Sequence, residues 1–262
     1  MPDEQPRPAA VPDRSTMRSL ERALDVMETL QRAPGPLRLS EVAGGSGLTL
    51  PTASRILATL QARGYVAAES RRFRLGPAVL AAAHSFLVND RLVESARPTM
   101  QDLASTTGLT ASFYERVGVE RVLVARVDGR WPLRYELPIG RRLPLHLGAG
   151  KAIAVDLDAD ELDLLARHLE RHPDVSGVPL QRDALLADLE ALRERGFHLS
   201  VSERAQGVAA VSVPVRDAAG ALLGALSVAG PAEQHPPEDL VRWSAQVVRA
   251  AAAVAESYAR GA

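Results

Sequence analysis

Apolar positions in the first part of the chain fall at helical spacing. Leu20, Leu24, Met27 and Leu30, with Ala23 between them, lie three and four residues apart. That spacing predicts an amphipathic helix over residues 17–31 with those side chains turned inward. Ala33-Pro34-Gly35-Pro36 ends it. Residues 39–43 predict a second, short helix with Ser40 as its N-cap. Gly44, Gly45 and Gly47 predict a tight turn, and a third helix follows over 51–63 with Ile56, Leu57 and Leu60 inward. Pro51 suits a first helical turn, where no N–H partner is lost, and Gly64 suits the stop. The pattern then shortens to two strands, 65–69 and 72–75, about a turn at Ser70-Arg71. Helix, helix, turn, helix, hairpin is the order of a winged helix-turn-helix.

The remainder alternates between the two periods. Residues 77–88 predict an Ala-rich apolar helix that links two domains, and 91–107 another helix, bent or broken near Pro98. Strands are expected at 110–117, 121–127 and 133–137. Helices are expected at 151–155, 160–171 and 182–195, a strand at 197–202, and a hairpin of 208–215 with 222–228 about Asp217-Ala218-Ala219-Gly220. A final Ala-rich helix begins at Pro237. Strands grouped between helices predict an α+β fold similar to GAF or PAS sensor domains. The division expected is an arm at 1–14, a winged helix-turn-helix at 15–76, a linker helix at 77–90, and an effector-binding and oligomerisation domain at 91–262.

Charge changes the picture more than composition does. The whole chain, 262 residues long, has a net charge of -1, which excludes a uniformly basic coat. Yet residues 14–78 hold ten Arg against five acids, and no acid lies between Glu41 and Glu69. The rest is therefore net acidic, as for two domains with different partners. A helix entering the major groove needs short polar side chains and a long donor near its start. Thr49, Thr52, Ser54 and Arg55 supply these, with Ser40 on the preceding helix. The Arg55 fork suits a guanine edge or a phosphate. Arg71, Arg72 and Arg74 sit where a wing meets the backbone or minor groove. A bundle with solvated Arg is the plain alternative, and charge with pattern favours double-stranded DNA.

Cysteine is absent, which excludes thiolate metal sites, disulfides and a Cys nucleophile. No apolar run approaches the roughly 18 residues of a membrane span. The Pro-rich start carries acids and has no apolar core, so it reads as a disordered arm and not a signal peptide. A cytoplasmic protein without membrane partners is expected. Lys151 is the single lysine among 31 basic residues, which reads as the codon usage of a GC-rich genome.

The run RSLERALDVMETLQRAPGPLRLSEVAGGSGLTLPTASRILATLQARGYVAAESRRFRLGPAVL resembles the DNA-binding domain of IclR-type bacterial transcription regulators. RRLPLHLGAGKA and RERGFHLSVSERAQGVAAVSVPVRDAAGALLGALSVAGP resemble two stretches of that family's effector-binding domain. Where relatives often carry Pro-Lys-Ser-Thr before the recognition-helix Arg, this chain has Thr49-Leu50-Pro51-Thr52, so no operator sequence carries over. The resemblance implies a carboxylate seat on the backbone of Leu147, Gly148 and Ala149, walled by late-strand residues. There this chain has Ser200, Ala210, Ser227 and Ala229, where relatives carry Asp, Cys, Ser and Ser. A wall of lower polarity fits a carboxylate with an apolar or aromatic body, in preference to glyoxylate or pyruvate. Trp131, Phe113 and Tyr114 are aromatic candidates near it, with packing the plainer role for each.

Enzyme-like patterns fail on their chemistry. The Gly-Ala-Gly-Lys run has Leu145 and Ala152 where a phosphate loop needs Gly and Ser or Thr. It reads instead as a turn whose N–H groups either hold an anion or serve structure alone. His168 and His172 share a helix face without the Glu of a zinc protease. Asp156, Asp158 and Asp160 alternate, but Glu161 and Arg167 stand where a calcium loop needs Gly and Glu, so these acids cap a helix. No catalytic constellation emerges, and neither a metal nor a cofactor is expected. The function expected is a homodimeric or homotetrameric transcriptional regulator that binds operator DNA and a small effector. The alternatives are a DNA-binding protein whose C-terminal domain only oligomerises, and an enzyme using that domain.

Overall fold

A computed structural model describes residues 17–131, 137–169 and 173–261. The chain divides into two compact units, Met1–Asn89 and Asp90–Ala262. The arm expected at 1–14, most of the strand expected at 133–137 and the end of the helix expected at 160–171 fall outside the described residues.

In the first unit α1 (Arg18–Arg32), α2 (Leu39–Gly45) and α3 (Leu50–Ala62) surround Val26, Leu30, Val42, Leu57 and Val66. β2 (Val66–Glu69) and β3 (Arg72–Leu75) form the wing, and β1 (Leu37–Arg38), which the sequence pattern did not show, pairs with β3. α4 (Ala78–Asn89) closes the unit and buries none of its side chains. Gly64, at φ +74°, ends α3, and Tyr65 N donates to Leu60 O at 2.9 Å across it.

Two expectations need correction here. Leu20 and Leu24 do not face the core: each is 55% exposed, whereas Val26 and Leu30 are buried. With Met17 they form a second apolar stripe on α1. Periodicity finds apolar stripes, but only the packing decides which of two is covered. Ser40 is not an N-cap. Arg38, still paired with Arg72 in the sheet, is the cap, two residues before Ser40, so the chain passes directly from strand into helix. The Glu41 carboxylate accepts from Arg38 N at 2.6 Å and satisfies a helix-start donor.

The second unit is built on an antiparallel sheet of order β6-β5-β4-β9-β8-β7 among the described residues. Its strands are β4 (Thr110–Val117), β5 (Glu120–Val127), β6 (Arg142–Pro144), β7 (His198–Val201), β8 (Val208–Arg216) and β9 (Leu222–Pro231). α5 (Arg91–Thr107) and α9 (Pro237–Arg260) cover one face. There Ala111, Phe113, Val211, Val213, Leu226 and Val228 meet Met100, Leu103, Val247 and Val254. A second core joins Tyr114, Leu123 and Ala225 to α6 (Lys151–Ala154), α7 (Ala159–Leu169) and α8 (Arg182–Arg195).

α5 is neither broken nor interrupted at Pro98. Val93 N is capped by Asp90 at 2.8 Å, Gly108 closes the helix at φ +71°, and Leu92, Val93, Ala96, Met100 and Leu103 are buried. Packing of that face outweighs the one hydrogen bond that an exposed proline removes.

Candidate nucleic-acid interface and effector site

Some of the expected DNA contacts meet beside the start of α3, while Arg74 lines a second cleft with Pro36 and Glu69. Ser40, Arg71 and Arg72 line one open cleft of about 480 Å³ with Arg38 and Leu50. Thr49 and Thr52 share a hydroxyl–hydroxyl bond of 3.0 Å at the helix start. Ser54 and Arg55 are exposed. The Arg55 carbonyl accepts from Thr59 Oγ1 at 3.0 Å, but neither the Arg55 nor the Arg71 guanidinium has an intramolecular partner among the described residues. The other wing arginines are engaged: Arg72 donates to Pro36 O at 3.0 Å and lies 3.9 Å from Glu41, and Arg74 donates to Leu75 O at 3.1 Å. The wing turn holds Ser70 at φ +50° and Arg71 at φ +61°. Two positive φ values match the tight hairpin turn that Asn-Gly usually makes. Here the turn carries Arg71 at its tip instead.

In the second unit the residues named for the effector site are brought together by strand register. Ser200 pairs with Ala210, Ala210 with Ala229 and Ala229 with Thr110, one rung across four strands. The next rung on the same face is His198, Ser212, Ser227 and Ser112. Side chains alternate faces along a strand, so these two rungs present small side chains, most of them polar, while the reverse face packs in the core under α5 and α9. Ser212 donates to Ser227 Oγ at 2.9 Å, and all four residues of that second rung are buried.

The 3-10 turn Gly148–Gly150 packs against β7, β8 and β9. A Cβ placed on Gly148 would lie 3.8 Å from Ser200 Oγ, so turn and rung are neighbours. Arg121, fully buried, holds the turn from β5: its Nη1 donates to Leu147 O at 2.7 Å and to Pro144 O, and its guanidinium lies 5.1 Å from the Tyr114 ring centre. A Cβ on Gly150 would collide with Arg121 Nη1 and Leu145 O, which is why glycine stands there.

The Gly148 N–H is not vacant. It donates to Glu203 Oε2 at 2.7 Å. Lys151 Nζ lies 2.9 Å from the same oxygen and 2.7 Å from Asp188 Oδ2. His198 Nε2 lies 3.0 Å from Glu203 Oε1, and an ionised carboxylate only accepts, so the imidazole donates. Burial alone would raise the Glu203 carboxyl. The His198 hydrogen bond, the Lys151 charge and the Gly148 N–H outweigh it and hold the group down at about 2. On β4, by contrast, burial and then the nearby Asp90 charge push Glu115 up to about 7.

The sequence reading missed Glu203, His198, Ser212, Ser112 and Arg121. Its one usable signal was the solitary lysine, which it assigned to codon usage. Other candidates sit elsewhere. Phe113 belongs to the opposite face, in the core under α5 and α9, and Trp131 makes an edge contact with His235 at 6.1 Å. Asp158 exchanges hydrogen bonds with Glu161 at the start of α7, Asp156 pairs with Arg216, and His168 Nδ1 lies 2.9 Å from Leu164 O. His172 lies outside the described residues.

A family model for the IclR helix-turn-helix domain matches residues 19–70, and one for the bacterial transcriptional regulator IclR C-terminal matches residues 84–256. The HTH-type transcriptional regulator BhcR of Paracoccus denitrificans (strain Pd 1222) is 31% identical over 244 residues, which is 91% of this chain and 86% of BhcR. An IclR family transcriptional regulator from Brucella abortus superposes with a TM-score of 0.78 at 25% identity, over 95% of this chain and 94% of that one. An IclR homolog of Microbacterium hydrocarbonoxydans, solved in complex with 4-hydroxybenzoate, superposes with a TM-score of 0.70 over 93% of this chain and 100% of that one. At 18% identity that last likeness concerns the fold alone.

Proposed function

The chain belongs to the IclR family of bacterial transcriptional regulators, which are ligand-responsive and bind DNA, and on that premise we propose which residues do each task and what class of ligand is sensed. Residues 15–76 read operator DNA, 77–90 link the domains and 91–262 bind the effector. Arg55 and Arg71 meet DNA directly, with Ser40, Thr49, Thr52 and Ser54 around them. Arg72 and Arg74 brace the wing and add charge near the phosphates.

The effector is a carboxylate with an apolar or aromatic body. Its acid group seats at the 147–149 turn, and its body lies along the rung of Ser200, Ala210 and Ala229, beside Ser227. The observation that carries this is the register itself, which sets two alanines where a wall of small polar groups would hold a smaller oxo acid. The 4-hydroxybenzoate bound by the Microbacterium homolog is a carboxylate of this class on the same fold.

Two copies are needed to place two recognition helices on half-sites about one helical turn apart. The exposed stripe of Met17, Leu20 and Leu24 and the uncovered apolar α4 support a homodimer, since a soluble monomer rarely leaves such surfaces bare. Ligand binding shifts the dimer between arrangements of different operator affinity.

Thermal shift against aromatic, aliphatic and two- or three-carbon acids tests the ligand class, because a ligand that binds only the folded state raises Tm. Larger carboxylates are expected to stabilise the wild type. Ala149→Leu is expected to abolish that shift and to leave band shifts on operator DNA intact. Stabilisation by glyoxylate alone would overturn the class, and none by any acid would favour a domain that only oligomerises.

A further inference from the structure

The carboxylate seat of the second unit already holds a carboxylate, and it comes from the chain. We propose that Glu203 is a built-in occupant of that seat, and that Lys151 Nζ, His198 Nε2 and the Gly148 N–H take over the effector's carboxylate when Glu203 turns out. The proposal rests on the reading that an effector acid binds at this turn.

Four observations carry it. First, the grip is convergent: two donors from the 148–151 turn and one from β7 meet one carboxylate at 2.7, 2.9 and 3.0 Å. Second, the donors lie inside and the occupant at the edge. The Lys151 and His198 side chains are 3% and 8% exposed, whereas the Glu203 side chain is 21% exposed. Third, Glu203 stands between β7 and β8 on a segment whose main chain is fixed independently of its side chain. Val175 N donates to Glu203 O at 3.1 Å, Ser202 N to Val208 O at 2.8 Å and Gly207 N to Ser202 Oγ at 3.0 Å. Rotation about the Glu203 side-chain torsions therefore empties the seat without undoing the segment. Fourth, Lys151 Nζ also lies 2.7 Å from Asp188 Oδ2, a second counter-charge for the ammonium besides Glu203.

Exchange of one carboxylate for another conserves both the buried charge and the donor bonds. A neutral amide or ester conserves neither and leaves buried donors short of an acceptor, which is costly. The occupied seat thereby filters for anions. It also weakens the apparent affinity of every effector by the fraction of time that the seat is open. Because Glu203 is ionised down to about 2, competition and not protonation is what empties the seat near neutral pH.

The test uses the full chain and defined probes. Glu203→Ala leaves the three donors facing a hole the size of a small acid, so acetate is expected to raise its Tm by several degrees. Acetamide is expected to do nothing, and neither probe to affect the wild type. Glu203→Ala without an acetate response, or a wild-type response of equal size, would overturn the proposal. Glu203→Gln keeps the side-chain volume and serves if the alanine variant does not fold. It is expected to bind benzoate or 4-hydroxybenzoate about ten-fold more tightly than the wild type by calorimetry. Unchanged or weaker binding would sink the exchange. If Ala149→Leu still abolishes wild-type binding in that case, the effector reading survives and only the role of Glu203 falls. If acetate fills Glu203→Ala but no larger acid binds any form, the seat stands and the effector reading falls.

Discussion

The two units treat charge in opposite ways. In the first, the Arg55 and Arg71 guanidinium groups point into solvent without an internal partner among the described residues. In the second, Lys151, His198, Arg121 and Glu203 are drawn inward and held by one another, by Asp188 or by carbonyls. An exposed arginine meets a polyanion without first giving up a bond, so binding there is fast, additive and screened by salt. A buried cation already in a pair offers nothing to a ligand until an internal acid leaves. The difference teaches that a DNA surface is read from unpaired charge, whereas a small-molecule site is read from charge paired within the chain.

That contrast breaks most easily at Lys151. Removing one partner of a buried pair strands the other, so Lys151→Met is expected to cost about 3 kcal/mol of unfolding free energy in urea. Arg55→Ala, at an exposed site, is expected to stay within about 0.5 kcal/mol. Comparable losses in the two variants would erase the distinction. Arg55→Ala is expected instead to lose roughly 1–3 kcal/mol of specific operator affinity and less on random DNA. Band-shift titrations decide this, and unchanged binding would remove Arg55 from the interface.

The two displaced glutamates sharpen the picture through pH. Glu203 sits at about 2 in the folded chain against the usual 4.5. Its contribution is present above 4.5 and is lost as pH falls through about 2. Glu115 sits at about 7, so the folded chain binds its proton more tightly than the unfolded one. Stability from that group is present below 4.5 and is lost as pH rises through about 7. A Tm series is expected to lose its acid limb in Glu203→Gln and its neutral-range decline in Glu115→Gln. Identical profiles for the two variants would refute the assignment. A small effect is also expected at Arg72. Its ion pair with Glu41 is exposed, so Arg72→Ala is expected to change stability by less than about 1 kcal/mol. It should reduce the salt slope of DNA binding by about one unit, measured over several salt concentrations.

Most of the fold was legible because its boundaries are local events. Asp90, Gly64, Gly108, Gly196 and Pro237 start or stop helices through their own backbone and side-chain chemistry, and the limits read from sequence fall within a residue or two of the observed ones. β1 and β6 were not legible. At two and three residues they are strands only by virtue of a partner. The exposure of Leu20 and Leu24 was hidden for a related reason, since periodicity does not say which neighbour arrives. The seat was half legible. The Gly148 turn and the Ser200 rung follow from local pattern with family resemblance. Glu203 joins Gly148 and Lys151 across more than fifty residues, and no spacing rule reaches that far.

The chain carries one lysine, and folding hides it. Amine-directed chemistry, whether an acylating reagent or an acetyl-transferring enzyme, therefore finds no exposed side-chain target on the folded molecule. Among the described residues, the permanent cations of the surface are guanidinium groups. Modification located at Lys151 by peptide mass then becomes a reporter: it marks molecules whose seat has opened, and protection by an added acid marks those in which it has been filled again.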